Sequence, residues 1–370
     1  MTADVITDAA AFAQLLSEWD SLLAAGAART PFLTATWIDC WRRYAMRGRS
    51  LHVIAVRECG RLVGIAPLMR VHGGVSIADR LEFLGTGSAG ADYLDVIARR
   101  GAGNAVTAAI AASIHARNLP VYLDHLPPQS LAAAITAPLQ ALGWTALQES
   151  PDVCPFIDLN GHTWDSLLAS LGTAHRANVR RRLRKLDASF DVSFRLVDSH
   201  CGRRDALDRL VHISEHRWRT RGGTTAFPDQ EMIAFHHAIT AQAMADNWLR
   251  LYALSLNGVI SAVMYGFALD DRFYFYQHGF DDRYAGYSLG LALMALTIRA
   301  AIDDGMREFD FLYGHEPYKS LWARHQRPLS RLELFPPRIT GALLRRKAET
   351  RRALKVMAHQ LGWNVRHGHS

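Results

Sequence analysis

Cysteine is scarce in this sequence, with four in 370 residues. They lie far apart, at Cys40, Cys59, Cys154 and Cys201, and form no Cys-x-x-Cys pair. Without such a pair and at this spacing, neither a structural zinc site nor a disulfide framework is predicted. Scarce, widely spaced cysteine is typical of a reducing compartment. The sequence therefore predicts a cytoplasmic protein without a metal site.

Long hydrophobic runs are also lacking. The first residues, MTADVITDAAAFAQ, have no basic start followed by an apolar run, so no signal peptide is predicted. A transmembrane helix needs about 18 consecutive apolar residues. The longest apolar stretch, Leu289–Ile302, is shorter and contains Arg299. We therefore expect no membrane span.

Acidic residues are almost missing from the last part of the chain. The net charge is +7, and residues 338–370 hold eight Lys/Arg and only Glu349, which accounts for the whole excess. The preceding residues are neutral overall, so the body is not a general nucleic-acid binder and no DNA partner is expected. The hydrophobic fraction of 49% is that of a globular protein, and the length suggests two or three domains.

The first part of the chain mixes helical and strand patterns. The apolar positions of residues 8–25 recur at helical spacing. The pattern also changes repeatedly between helix and strand up to Pro151–Pro155, which punctuates the chain. The predicted helices are 8–25, 36–45, 104–116 and 129–142, and the predicted strands are 51–57, 62–70, 81–84, 93–97, 121–124 and 144–148.

The second part is predicted most clearly at 249–280. Leu249–Leu256 and Val259–Leu269 flank Asn257-Gly258, a pair typical of a tight hairpin turn, and Arg272–Phe280 follows. The result is an antiparallel meander that leads into an apolar helix. The other predicted helices are 163–171, 176–186, 204–220, 229–246, 288–304 and 318–324, and the other predicted strands are 190–196, 308–312 and 329–335.

These elements give a mixed α/β fold in three segments. Residues 1–155 and 156–337 form two domains, and residues 338–370 form a basic helical tail. The strand-turn-strand patterns at 51–69 and 249–267 are alike, which suggests an internal duplication.

The first functional candidate is the loop that joins the third meander strand to the apolar helix. A loop with glycines directly before a helix can present backbone N–H groups, and the helix N-terminus adds partial positive charge, which together bind phosphate. The structural alternative is an ordinary loop with Ser288 as the helix cap. The candidate ligand-binding residues are Gln277, Gly279, Arg283, Gly286, Tyr287, Ser288, Leu289 and Gly290.

This loop and the segment after the helix resemble a known superfamily. Arg283-x-x-Gly286-x-Ser288 is similar to the pyrophosphate loop of GNAT acetyltransferases. Tyr287-Ser288-Leu289-Gly290, Glu308-Phe309-Asp310-Phe311 and Gly314-x-Glu316-x-Tyr318-Lys319-x-x-Trp322 resemble the BioF2-like, or cellulose-biosynthesis-type, acetyltransferases. That family usually has Ser-Pro-Gly where this chain has Ser-Leu-Gly.

The resemblance implies a tandem GNAT-like fold, with central mixed and largely antiparallel sheets flanked by helices, related to the Fem-type aminoacyltransferases. It implies an acyl-CoA co-substrate, with the pantetheine arm along a bulged strand, Phe273–Gly279, and the pyrophosphate at Arg283–Gly290. The acceptor would approach between that strand and Glu308–Leu312.

The second candidate group follows the strand 308–312. Acyl transfer needs a base for the acceptor and a proton donor for the leaving thiolate. His278 or Glu316 is the candidate base, and Tyr318 or Tyr313 the candidate donor. Asp310 and Lys319 are further candidates, with a structural hydrogen-bond network as their alternative.

Two basic segments remain. The stretch from His175 to Lys185 holds six Lys/Arg and no acid, and it is either a site for an anionic partner such as the CoA phosphates or tRNA, or a solvated helix face. In the tail, Leu343, Thr350, Leu354, Met357 and Leu361 recur at helical spacing among basic residues. Such a helix either contacts an anionic membrane surface or packs its apolar side on the body.

The sequence thus predicts an acyl-CoA-dependent N- or O-acyltransferase, with acetyl-CoA the expected donor and a polar small molecule, sugar or amino compound as acceptor. One alternative is a Fem-type transferase that uses aminoacyl-tRNA. Another is a non-catalytic accessory protein of polysaccharide synthesis on the same scaffold.

Overall fold

The computed structural model describes residues 1–73, 79–87, 89–221 and 225–360, and the chain forms two compact units. Unit 1 comprises Met1–Arg42, Met46–Pro151 and the chain from Pro328 onward. Unit 2 comprises Arg43–Ala45 and Asp152–Arg327. The units differ from the predicted domains because the chain after Pro328 falls in unit 1. The end of the predicted tail, 361–370, lies outside the described residues.

The elements of unit 1 begin with a strand and end before a long strand that enters unit 2. They are β1 (Thr2–Ile6), α1 (Ala9–Ala25), α2 (Ala35–Ala45), β2 (Ser50–Leu51), β3 (Val53–Glu58), β4 (Arg61–Ala66), β5 (Leu68–Val71), β6 (Arg80–Phe83), β7 (Ile97–Ala98), α3 (Gly103–Arg117), β8 (Val121–Leu126), α4 (Leu131–Ala134) and α5 (Thr136–Ala141).

The chain then passes into unit 2 along β9 (Thr145–Asp158). The elements that follow are α6 (Trp164–Ser170), α7 (Thr173–Ser189), β10 (Val192–Leu196), α8 (His200–Arg221), α9 (Gln230–Ala245), β11 (Leu249–Leu256), β12 (Val259–Leu269), β13 (Arg272–Phe280), α10 (Leu289–Asp303), β14 (Glu308–Asp310) and α11 (Pro317–Ser320). The chain returns to unit 1 along β15 (His325–Phe335) and continues as α12 (Ile339–Gln360).

Helix α1 shows how the local sequence sets an element. Asp8 caps it by accepting hydrogen bonds from the backbone N–H groups of Ala10 and Ala11. Phe12, Leu15, Trp19, Leu22 and Leu23 are buried, as their helical spacing predicts. In unit 1, β1, β3, β4 and β7 form an antiparallel sheet, and a second group runs β15-β8-β6-β5-β2 with only β6–β8 parallel.

The sheet of unit 2 contains the predicted meander. Its strand order is β10-β11-β12-β13-β14-β9, antiparallel except between β13 and β14. The bounds of β11, β12 and β13 are those predicted, and Asn257 and Gly258 have φ of 50° and 79°, as a type I′ turn requires. Helices α8 and α10 both pack against β12 and β13.

Several predictions about elements were wrong in extent. Tyr93–Ile97 is not a strand, because Tyr93 has φ of 58° and only Ile97 enters β7. The predicted helix at 129–142 is two short helices, α4 and α5. Strand β9 continues through Pro151 and Pro155, so these prolines do not interrupt the chain. The mixed α/β class with largely antiparallel sheets is confirmed. No helix in the described ranges is long and apolar enough to cross a membrane.

Candidate functional site

The strand before the predicted loop carries a bulge. Tyr265 of β12 pairs with Gln277, and the next residue, Gly266, pairs with Phe275, so Tyr276 is the extra residue of β13. A bulge leaves backbone groups outside the ladder, which can then bind a ligand. Gly279 lies further along β13, where a Cβ atom would meet a methyl group of Leu210 at 2.7 Å, so this glycine serves the packing of α8.

Strands β13 and β14 are joined only at their first residues. The parallel register ends with Tyr274 opposite Asp310, whereas β13 continues to Phe280. Strand β14 is shorter than the predicted 308–312 because Leu312 has φ of 56°, which turns the chain away. The second half of β13, with Gln277 and His278, therefore has no β14 partner.

The loop after β13 is a 3₁₀ turn, Asp282–Tyr287, that ends at the start of α10. Ser288 has φ of 57° and its side chain does not cap the helix, so the capping interpretation of this serine is wrong. The first N–H groups of any helix, here those of Leu289 and Gly290, lack partners within it. They provide the partial positive charge that suits a phosphate.

The two loop glycines have different surroundings. A Cβ atom at Gly290 would lie 2.7 Å from Cε1 of Phe280, whereas no atom of the described residues lies within 4 Å of one at Gly286. We expect Gly290→Ala to lower the free energy of unfolding by about 1–3 kcal/mol through overpacking. Gly286→Ala should leave it nearly unchanged. Urea unfolding of the two variants checks this, and equal stability would show that Phe280 can move aside.

Arg283, the predicted phosphate-binding arginine, already has a partner. Its side chain is 70% exposed and pairs with Asp281 at 2.6 Å, and Arg209 contacts the same carboxylate at 2.6 Å. The hydrogen bond from Arg283 lowers the pKa of Asp281 to about 2, so this carboxylate is ionised at neutral pH. The pair fixes the start of the loop.

Two residues of the basic segment contact this loop. Arg182 and Lys185 of α7 donate to the carbonyl oxygen of Gly286, at 2.8 and 3.4 Å. The ammonium group of Lys185 also lies 4.6 Å from the ring centre of Tyr287. Arg180, Arg181 and Arg184 of the same helix are exposed. The basic segment therefore lies beside the candidate phosphate loop.

His278 and Tyr318 are brought together where β13 and β14 separate. Their ring centres are 6.1 Å apart and both side chains are half-buried. Within the described residues neither ring has a hydrogen-bond partner in the protein. Burial is the main cause that lowers the pKa of His278 to about 4, and burial raises the pKa of Tyr318. At neutral pH His278 is thus neutral and Tyr318 protonated.

Arg217 is a residue near the site that the sequence did not single out. Its guanidinium group lies 5.6 Å from the ring centre of Phe280, and its charge adds to the lowering of the pKa of His278. Leu210, Ile213 and Arg217 follow the i, i+3, i+7 spacing of one helix face. This spacing, together with the aromatic residues of β13, is the pattern from which Arg217 could have been predicted.

Lys319 and Asp310 hold the chain between β14 and α11. Lys319 is buried, pairs with Glu316 at 3.0 Å and donates to the carbonyl oxygen of Tyr313 at 2.8 Å. Asp310 is fully buried, accepts from the N–H of Leu312 at 2.8 Å and pairs with Arg327 at 2.9 Å. The structural network that was the alternative for these two residues is therefore present. Tyr313 is half-buried beside His315, and Glu316 is exposed.

The low pKa of His278 predicts an acid-sensitive fold. In an unfolded chain the pKa of this histidine is about 6.5, so the unfolded state binds a proton below that pH. In the folded state His278 binds the proton only below about pH 4. The free energy of unfolding should therefore fall as the pH falls from 6.5 to 4. Removing the imidazole with His278→Asn should reduce this fall by at most about 2 kcal/mol between pH 7.5 and 5.

The measurement is urea unfolding at a series of pH values. His315→Asn removes an exposed histidine and serves as the control, whose pH profile should match that of the unchanged protein. A His278→Asn profile parallel to that of the control would contradict the low pKa.

No group of three His, Cys, Asp or Glu side chains suited to a metal lies within the described ranges. Comparison with family models matches residues 173–320 to the acetyltransferase (GNAT) domain. The match begins at α7 and ends at α11. It therefore includes the basic segment, the candidate phosphate loop, His278 and the candidates from Asp310 to Lys319. Comparison with curated protein sequences gives no significant match.

Solved structures share the fold along most of the chain. FemX is 12% identical with a TM-score of 0.63, over 90% of this chain and 97% of its own. The C-terminal domain of a putative lysylphosphatidylglycerol synthetase from Agrobacterium fabrum is 12% identical with a TM-score of 0.56, over 92% and 96%. L-PGS from Bacillus licheniformis is 13% identical with a TM-score of 0.54, over 93% and 96%.

These likenesses concern the fold alone, and in fold they confirm the predicted relation to Fem-type proteins. The bulged strand β13, the loop before α10 and the separated strands β13 and β14 all lie within the residues that match the family. By this match, residues 173–320 of this chain are similar to the acetyltransferase (GNAT) domain.

Proposed function

We propose that this protein transfers an acyl group, with acetyl the simplest case, from the thioester of acyl-CoA to an amine or hydroxyl group of a polar small molecule or sugar. The observation that carries the proposal is the separation of β13 from β14 after Tyr274 and Asp310, directly beside a phosphate-type loop. A thioester in that opening has both a base and a proton donor at hand.

The donor has a continuous path in unit 2. The bulge at Tyr276 frees backbone groups for the amides of the pantetheine arm. The pyrophosphate would lie at Gly286 and the N-terminus of α10, where the open space around Gly286 admits it. Exposed Arg180, Arg181 and Arg184 supply positive charge for the remaining phosphate.

The chemistry is direct transfer. The amine nitrogen or hydroxyl oxygen of the acceptor attacks the thioester carbonyl, and His278 takes the proton from that atom. The carbon–sulfur bond then breaks, and Tyr318 donates its proton to the leaving thiolate. We assign the base to His278 rather than Glu316 because Glu316 is exposed and paired with Lys319, whereas the imidazole is neutral and faces Tyr318.

Calorimetry with acetyl-CoA tests the donor. Gly286→Glu places a carboxylate in the loop without a steric clash, and we expect at least a tenfold loss of affinity. Gly172→Glu is the matched control, since a Cβ atom at Gly172 also has no neighbour within 4 Å in the part of the chain that the structure describes. Absence of acetyl-CoA binding at millimolar concentration by the unchanged protein would refute the proposal. Binding without turnover across an acceptor panel would favour the accessory-protein alternative.

A second candidate is transfer of an aminoacyl group from tRNA, as in Fem-type enzymes. It is supported by the exposed arginines of α7 and by the FemX-like fold. A tRNA shift assay at two salt concentrations distinguishes the donors. Salt-sensitive tRNA binding lost in Arg180→Gln/Arg181→Gln, together with no affinity for acetyl-CoA, would replace the first proposal with the second.

A further inference from the structure

Helix α12 in unit 1 packs on the body through small residues and ion pairs. Gly341 and Ala348 are buried, and a Cβ atom at Gly341 would lie 2.1 Å from the carbonyl oxygen of Pro336. Arg351 and Arg352 pair with the buried Glu333, at 2.7 and 3.4 Å. Apart from the half-buried Leu344, the inner face of the helix is therefore formed without its large apolar side chains.

Those side chains point outward. Ile339, Leu343, Leu354 and Met357 are 82%, 61%, 61% and 55% exposed. At about 100° per residue their positions fall within a sector of roughly 60° on one side of the helix. The interpretation that the tail packs its apolar side on the body is therefore wrong, because Gly341, Ala348 and the arginines take that place. Leu361, the last member of the predicted stripe, lies outside the described residues.

Basic side chains border this apolar stripe. Arg346 and Lys347 are exposed, and neither has an acidic partner within the described residues. The helix carries six Lys/Arg against one acid, Glu349, and Glu349 pairs with Arg345. A large apolar stripe on a surface helix indicates an interaction site. With basic borders, the complementary surface is apolar inside and anionic outside.

We propose that the outer face of α12 lies on the surface of an anionic phospholipid membrane. Its four apolar side chains enter the boundary between headgroups and acyl chains, while Arg346 and Lys347 contact the lipid phosphates. A second copy of the chain fits this face less well, because a two-fold pair would bring the same basic residues of both copies together. The helix lies along the surface and does not cross it.

Vesicle co-sedimentation of the full chain tests this. We expect at least tenfold stronger partition onto vesicles of phosphatidylcholine with about one third phosphatidylglycerol than onto phosphatidylcholine alone. Leu343→Glu/Leu354→Glu should lower partition onto the anionic vesicles at least tenfold. Leu142→Glu, which changes an exposed leucine elsewhere in unit 1, should not.

The charge contribution is tested separately. Arg346→Gln/Lys347→Gln should weaken partition at least fivefold and reduce its dependence on salt, because two lipid phosphate contacts are lost. Arg299→Gln/Arg307→Gln removes the same charge from exposed positions in unit 2 and should have little effect.

Three results would overturn the proposal: equal partition onto the two vesicle types, unchanged partition of Leu343→Glu/Leu354→Glu, or a dimer without lipid that this double variant abolishes. The last would assign the face to a second copy of the chain. The test needs no acyl-CoA, so it is independent of the proposed activity.

Discussion

Replacing Tyr318 by phenylalanine should lower the rate of acyl transfer by roughly a hundredfold to a thousandfold, which is the size expected when a positioned proton donor is removed. The phenol lies beside His278 where β13 and β14 separate, and burial raises its pKa, so at neutral pH it carries the proton that a leaving thiolate needs. The measurement is release of free thiol from acetyl-CoA with the best acceptor from a panel of amino acids and amino sugars.

The affinity for acetyl-CoA should change little in this variant, because the phosphate loop is untouched, and calorimetry checks that point. Tyr313→Phe is the control. Tyr313 comes from the same segment and is half-buried, but its backbone carbonyl, rather than its ring, is the group that Lys319 holds. Equal turnover of Tyr318→Phe and the unchanged protein would remove Tyr318 from the mechanism, and a larger loss in Tyr313→Phe would transfer the role of donor to that residue.

Replacing Asp310 by alanine should lower the free energy of unfolding by about 1.5–3 kcal/mol, because Arg327 loses its fully buried partner while its pair with Glu308 remains. The carboxylate also accepts from the N–H of Leu312, which needs that support at φ of 56°. The measurement is urea unfolding followed by tryptophan fluorescence.

Asp271→Ala is the matched control, because Asp271 is 60% exposed and its pair with Arg307 is long, at 3.5 Å. Exposed pairs of this kind contribute little. If Asp310→Ala were as stable as Asp271→Ala and yet inactive, Asp310 would belong to the chemistry rather than to the support of the strand end. The two predictions thus divide the candidate residues into those that react and those that hold them.

The meander was predictable because its information is local. The alternation of residue types predicted β11 and β12, and Asn257-Gly258 predicted the turn between them. The bounds of the meander strands were therefore correct. Strand β9 was cut short in the prediction because Pro151 and Pro155 normally end strands, yet tertiary pairing of β9 with β14 continues beyond Pro155. Rules based on neighbouring residues do not include a strand-pairing partner that lies so far along the chain.

Within the site, residue types were easier to predict than contacts. The loop and the segment from Asp310 to Lys319 were singled out from their sequence, and their roles as ligand-binding or catalytic residues stay predictions. The bond from Arg182 to the carbonyl of Gly286 could not be foreseen, because a backbone acceptor has no signature in the sequence. The orientation of α12 could not be decided from the sequence for a related reason, since the ion pairs of Arg351 and Arg352 with the buried Glu333 outweighed the apolar stripe.

The order of the elements along the chain also has a consequence for biosynthesis. Strand β8 pairs with β15, and all of unit 2 after β9 is made between them. At ordinary rates of translation, β8 therefore waits on the order of ten to forty seconds for its neighbour. Unit 2 can complete its sheet during that interval, whereas unit 1 keeps an open strand edge of the kind that attracts aggregation or a chaperone. The nascent chain is most vulnerable in the half that was synthesised first.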